Sequence, residues 1–199
     1  MHRVPAGFRR PDFARPLDVE ATVAALPLGG AIKGMYLQAI ADLCAKSGKT
    51  LSQSSFTAFK DYPLALQTRL GVEAAQLMHP DVPVREGLRR IGRTTYGVLS
   101  STLIGRVVFG VLGRDIAKVT PLAAKAYDVS GRGLDATVIE QGDGFSHIRL
   151  EGHACLIDSF HVGAFEGVLD FCGVDGEVFL HEVGPTTTDL FTIWQPRAG

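Results

Sequence analysis

An α+β fold, with a helical layer packed on a twisted antiparallel sheet of about four strands, is what this sequence predicts. Three observations carry the prediction. Through the first two thirds of the chain the apolar residues recur at three- and four-residue spacing, as they do on helices. Past Ser130-Gly131 the period changes to alternation, as on half-buried strands. The second half then reads strand, strand, helix, strand, strand, so the earlier helices must cover one face of the sheet.

Residues 1–16 hold three prolines and four arginines with little periodicity and read as an extended or disordered arm, ahead of a single α+β domain over residues 17–199. Asp18 to Leu26 fits a strand or a short helix. Gly29 to Lys46 is a helix with Ile32, Met35, Tyr36, Ile40 and Leu43 on its apolar stripe, closed by Ser47-Gly48. Ser54 to Asp61 is expected to form a short helical turn containing Phe56 and Phe59. Tyr62-Pro63 opens a further helix that ends at His79-Pro80, because a residue before proline is pushed away from α geometry.

The stretch Val84 to Gly113, VREGLRRIGRTTYGVLSSTLIGRVVFGVLG, is central. Leu88, Ile91, Thr95, Val98, Leu99, Thr102 and Leu103 mark one side of a helix, with a break at Gly105 and a second short helix after it. Gly87, Gly92, Gly97 and Gly105 each cost roughly 1 kcal/mol relative to alanine, a loss that a close neighbour or a bound ligand must offset. Arg85, Arg89 and Arg93, with Arg90 beside them, read as a solvated helix face, and a local phosphate or carboxylate site is the alternative. Asp115 to Tyr127 is another helix, bent or restarted at Pro121. Leu134, Ala136 and Val138, then Ile148 and Leu150, form a hairpin across Gln141–Gly144. Asp158 or Ser159 caps a helix that runs to Cys172 and stops at Gly173. Glu177–Val183 and Thr187–Trp194 make the closing hairpin.

A net charge of −1 gives no global field for nucleic acid or an acidic membrane. Cys44, Cys155 and Cys172 are too scattered for a disulfide framework, and no stretch approaches the roughly 20 apolar residues of a membrane span, so a cytoplasmic protein is expected.

Tyr62-Pro63, GLRRIGRTTYGVLSSTLIGRVVFGVLG, the hairpin, DSFHVGAFEGVLDFCGV and the closing LFTIW together resemble a paralogous family of uncharacterised proteins of about 200 residues abundant in myxobacteria. The resemblance covers residues 60 to 195 best and rests on Gly92-Arg93, Gly105-Arg106, Gly163, Gly167 and the terminal aromatic strand. It implies a fold shared with vinyl-4-reductase-type ligand-binding domains, haem nitric-oxide/oxygen-binding domains and Bet-type subunits of the transport protein particle. It further implies frequent dimers, an apolar pocket between helices and sheet, and small-molecule sensing. The zinc-bearing relatives have a cysteine cluster near the last helix and strands, where this chain has Cys172 and His181 but no cysteine pair. The haem-binding relatives have a Tyr-x-Ser-x-Arg clamp, a string absent from this chain. No cofactor is therefore expected.

His153, Cys155, His161, Cys172 and His181 are the group worth testing for metal, with zinc the ion suited to imidazole and thiolate. Their spacing matches no zinc motif, and independent packing is the expected outcome. Asp158 and His161, three apart, could make an acid/base pair. Gly163 and Gly167, one turn apart, are expected to let their helix lie close to the sheet. Tyr96, Phe109, Tyr127, Phe160, Phe165, Phe191 and Trp194 could converge on an interior cavity, with Arg93, Ser100, Arg106 and His161 as its polar groups.

The expected function is non-enzymatic: a sensory or binding domain, acting as a homodimer, with a small hydrophobic ligand between the central helix and the sheet. A structural or protein-interaction module without ligand, dimerising like the transport-particle subunits, is the alternative. A haem or metal sensor using His153, His161 or His181 comes third. No Gly-x-Ser-x-Gly, P-loop, dinucleotide or His-Glu-x-x-His string points to a reaction.

Overall fold

The computed structural model describes residues 3–101, 113–152, 156–184 and 186–197; the side chains of residues 95–101, 123, 126 and 128 lie outside that description. The architecture is the α+β class that the sequence predicts. Helices α1 (Val19–Ala24), α2 (Gly34–Lys46), α3 (Leu64–Met78), α4 (Val84–Ser101) and α5 (Ile116–Ser130) precede the main sheet. That sheet holds β4 (Asp135–Gly142), β5 (Phe145–Glu151), β6 (Val174–Gly184) and β7 (Thr187–Pro196), antiparallel throughout, in the order β4-β5-β7-β6. A π-turn (Ile157–His161) and α6 (Val162–Cys172) lie between the two hairpins.

Asp18 resolves the ambiguity of the first segment in favour of a helix, since its carboxylate accepts from Ala21 N at the first turn of α1. A second, small sheet has no counterpart in the sequence reading. It joins β1 (Ala31–Lys33), β2 (Asp61–Pro63) and β3 (Gly131–Arg132) in the order β2-β1-β3. The helix expected from Gly29 therefore begins at Gly34, because strands on both sides claim residues 31–33. The turn expected at Ser54–Asp61 is instead a loop. Its Ala58 and Lys60 carbonyls accept from Met35 and Gly34, two of the N–H groups that the start of α2 leaves unpaired. The predicted break at Gly105 and the short helix after it fall outside the described residues.

Buried apolar residues form two clusters. The first gathers Leu37, Ile40, Leu64, Leu70, Leu88 and Ile91 from the helical half, and the second gathers Ile148, Leu150, Leu169, Leu180 and Leu190 around the inner face of the main sheet. The π-turn belongs to both. Its Phe160 enters the first cluster, while Ile157 enters the second, followed there by Val162.

Helices α4 and α6 run side by side in the same direction. Arg85 reaches Asp158, Arg89 reaches Glu166 at 2.8 Å and Arg93 reaches Asp170 at 2.6 Å, so the pairs climb both elements together. The arginine face is thus turned onto the neighbouring helix, not simply solvated as the sequence suggested: Arg85 and Arg89 are buried or half-buried there, while Arg93 beside Asp170 and Arg90 beside Glu86 at 2.8 Å stay largely exposed. Gly163 of α6 closes against α4 and not against the sheet. Neither Asp158 nor Ser159 caps α6, since both lie within the π-turn.

Residues 3–16 lie along the main sheet. Arg9 and Leu180 exchange two backbone hydrogen bonds of 2.9 Å, adding a one-residue bridge to edge strand β6. The Phe8 ring covers His147, His181 and Phe191 at centroid distances of 5.3, 5.4 and 5.5 Å on the outer face.

A tyrosine–histidine pair between two cores

The π-turn is set by the residue just before it. Leu156 has φ 61°, in the left-handed region, and its carbonyl accepts from both Ser159 N and His161 N at 3.2 Å. The second of these bonds spans five residues and gives the wide turn. It points His161 inward, at 5% exposure. There its Nδ1 lies 2.9 Å from the Tyr127 hydroxyl of α5. The Phe165 ring stacks on Tyr127 at 6.2 Å and 12°, and Phe160 meets the imidazole edge-on at 5.5 Å.

Burial controls the charge of both groups. It pushes His161 down to about 4, so the imidazole is neutral at physiological pH. It pushes the Tyr127 phenol well above the ordinary range, and the nearby Tyr36 adds to that effect. The pair is therefore a neutral hydrogen-bonding unit with aromatic walls, not one suited to moving a proton at neutral pH. Asp158 takes no part in it, which removes the proposed acid/base pair: its carboxylate turns to Arg15 and Arg85.

Of the residues singled out from sequence, Tyr127, His161 and Phe165 meet here, and Trp194 packs against the same cluster from β7. Tyr96 and Ser100 sit on α4 with side chains outside the description, while Phe109, Arg106, His153 and Cys155 lie wholly outside it. Phe191 does not join the interior; it faces outward under Phe8 and Phe145. His181 shares that outer face, and Cys172 ends α6 with burial pushing its thiol up to about 11. Among the described residues no three histidines, cysteines or carboxylates gather as a metal site.

Arg93 lies in a different place, a surface cleft of about 470 Å³ bordered by the arm, α4, α6 and β6. Each arginine there already has a carboxylate: Arg10 with Glu177 at 2.7 Å, Arg89 with Glu166, Arg93 with Asp170, and Arg197 with Asp175 at 2.9 Å. A phosphate would have to displace them. Sequence reasoning missed the link between α4 and α6, although the four-residue spacing of Arg89 and Arg93 matches that of Glu166 and Asp170 and could have shown it.

No helix among the described residues is long and apolar enough to cross a membrane. No curated protein matches the chain in sequence. Several solved structures match it in fold. The unliganded Fe(II) H-NOX protein of K. algicida aligns with a TM-score of 0.60 over 84% of this chain and 99% of that one, at 12% identity. An oxygen-binding H-NOX domain related to soluble guanylate cyclases, in its oxygen complex, gives 0.58 over 83% and 95%, at 13% identity. The Fe(II)NO form of an H-NOX protein from S. oneidensis gives 0.56 over 82% and 99%, also at 13%. At such identities the likeness is one of fold, and it agrees with the expected relation to haem nitric-oxide/oxygen-binding domains. Among the described residues the interior imidazole of His161 is enclosed and hydrogen-bonded at Nδ1 to Tyr127, and the buried arginine beside the π-turn, Arg85, is paired with Asp158. Sequence matching over residues 28–195 is to another group, and the chain belongs to the family described as "Protein of unknown function (DUF2378)".

Proposed function

We propose that the protein is a non-enzymatic sensory domain that holds a small apolar molecule beside Tyr127 and His161, between the helical layer and the main sheet. The observation that carries this reading is the position of a neutral hydrogen-bonded pair at the seam of two hydrophobic clusters. A ligand pocket needs a few such polar groups among aromatic walls, and this pair with Phe160 and Phe165 supplies them. The fold shared with H-NOX domains, one of them named as oxygen-binding, supports a sensing role. Association of two copies in the cytoplasm, with output to a signalling or regulatory partner, completes the proposal.

Native mass spectrometry of gently purified protein, together with thermal shifts on titration with indole, tests it. An extra bound mass, or stabilisation by indole that Tyr127→Trp abolishes by filling the space, is the expected result. No bound mass, no shift, and a Tyr127→Trp variant that unfolds because its ring finds no room would overturn it. A Soret band in the absorption spectrum would replace the apolar ligand with haem.

A further inference from the structure

The N-terminal arm touches the sheet, the central helix and the π-turn, and its contacts converge on one carboxylate. Arg15 Nη2 donates to Asp158 Oδ2, and Arg85 Nη1 donates to Asp158 Oδ1. Arg85 also holds the arm by its backbone, donating from Nε to the Arg15 carbonyl at 3.0 Å and from Nη2 to the Pro16 carbonyl at 3.4 Å. The guanidinium of Arg89 lies 4.9 Å over the Phe13 ring. Asp158 stands two residues before Phe160 and three before His161 on the same π-turn. One turn therefore carries His161 of the interior pair on one side and the anchor of the arm on the other.

We propose that residues 3–16 form a releasable strap, latched through Arg15, Arg85 and Asp158 to the π-turn, so that a shift of that turn at Tyr127–His161 frees the arm from the outer face of the main sheet. As a response to a ligand, this rests on the reading of the Tyr127–His161 pair as the ligand site.

Three features make the strap releasable. A π-turn is a single wide turn set against an α-helix, and a return to α spacing would rotate Asp158 relative to His161. Beyond the latch, the arm is held to the sheet by one bridge, by the Phe8 ring, by the Arg10 guanidinium 5.9 Å over the Phe179 ring, and by the exposed pairs Arg9–Glu182 and Arg10–Glu177, which as surface ion pairs contribute little each. Finally, the face beneath the arm is built like an interior: Phe179, Phe191 and Asp189 are all buried there, and Gly7 packs on the His181 ring. Release would uncover an aromatic and imidazole-lined surface at the edge strand.

Amide hydrogen exchange on the full, ligand-free chain tests the coupling. Arg15→Gln cuts the latch from the arm side at a half-exposed residue. Tyr127→Phe alters the interior pair, which the arm does not touch. The expected result is exchange at Arg9 and Leu180 at least tenfold faster in both variants, with the amides between β5 and β7 unchanged. Acceleration in Arg15→Gln alone, in neither variant, or uniformly over the sheet overturns the proposal. Because no ligand is present, a protein that shows the coupling yet never binds a small molecule would sink the sensor reading and leave the strap standing.

Discussion

Gly92 and Gly163 are reciprocal. A Cβ on Gly92 would overlap the carbonyl oxygen of Phe160 and stand 3.1 Å from Ala164 N, and a Cβ on Gly163 would overlap the carbonyl oxygen of Arg89 and stand 2.9 Å from Arg93 N. Each glycine presses into the backbone of the other helix, and the three arginine–carboxylate pairs lie along the same contact. The glycines of the central stretch are thus explained, at Gly92 and at Gly87 against Ala75, by protein and not by ligand.

Gly92→Ala and Gly163→Ala should each cost roughly 3 kcal/mol or more, since the neighbour that must give way is backbone. Gly48→Ala is the control: nothing stands within 4 Å, and the cost is the positive φ of 69° alone, about 1 kcal/mol. Urea unfolding of the three variants measures the difference. Equal losses would mean that the two helices can part at no penalty.

A second prediction starts from Pro121 inside α5, which leaves the Ala117 carbonyl without its helical N–H. Gln141 of β4 supplies the donor from outside, its Nε2 lying 2.7 Å from that oxygen. Gln141→Ala should cost about 1 kcal/mol in the natural chain and distinctly less in a Pro121→Ala background, where residue 121 can donate instead. A double-mutant cycle read by thermal unfolding checks this, and additive losses would refute the link.

How much of this was legible depends on how local each cause is. The two hairpins and α2 to α5 follow from periodicity, which every residue of an element reports. The β2-β1-β3 sheet does not, because its strands are two or three residues long and exist only through partners distant in sequence. The π-turn is hidden for a similar reason, as Leu156 holds its left-handed conformation while packed in the first cluster among residues distant in sequence. Tyr127, His161 and Phe165 could be named because aromatics on predicted helices imply an interior. Phe191 was misplaced because Thr188 to Thr192 are all buried, so β7 has no exposed phase from which to read its inner side. The arm has no period, and its order comes from a backbone bridge, ion pairs and two rings whose partners lie far away in sequence.

Asp189 offers a third test. It is 3% exposed on the outer face, with Arg149 at 2.7 Å and His147 at 3.0 Å. Burial pushes its carboxyl up, but the hydrogen bonds from Arg149, with the His147 imidazole close by, outweigh burial and hold it below the ordinary value. A depressed carboxylate adds stability that is present above its unfolded value and is lost as pH falls through the folded one. Asp189→Ala should cost about 2 kcal/mol at neutral pH, with Arg149 partly exposed and so partly rescued by water, and the loss should shrink in strong acid. Unfolding at neutral and low pH decides it; a loss that stays constant with pH would point to packing alone.

His161 gives the clearest dependence on pH, with the opposite chemistry. Its folded value of about 4 lies below the 6.5 of an unperturbed histidine, so the unfolded chain binds the extra proton first. Stability is therefore full above pH 6.5 and is lost as pH falls towards 4, by an amount on the order of 3 kcal/mol for a shift of this size. His161→Gln, which keeps a polar group near Tyr127 but cannot titrate, should be less stable at neutral pH and lose less between those limits. Subtracting its pH profile from that of the natural chain isolates the histidine from the carboxylates. The Hε1 proton of His161 should meanwhile hold its chemical shift through the range in which exposed histidines titrate. A midpoint near 6.5 would mean that water reaches the ring, and the enclosed seam between the two cores would then have to be given up.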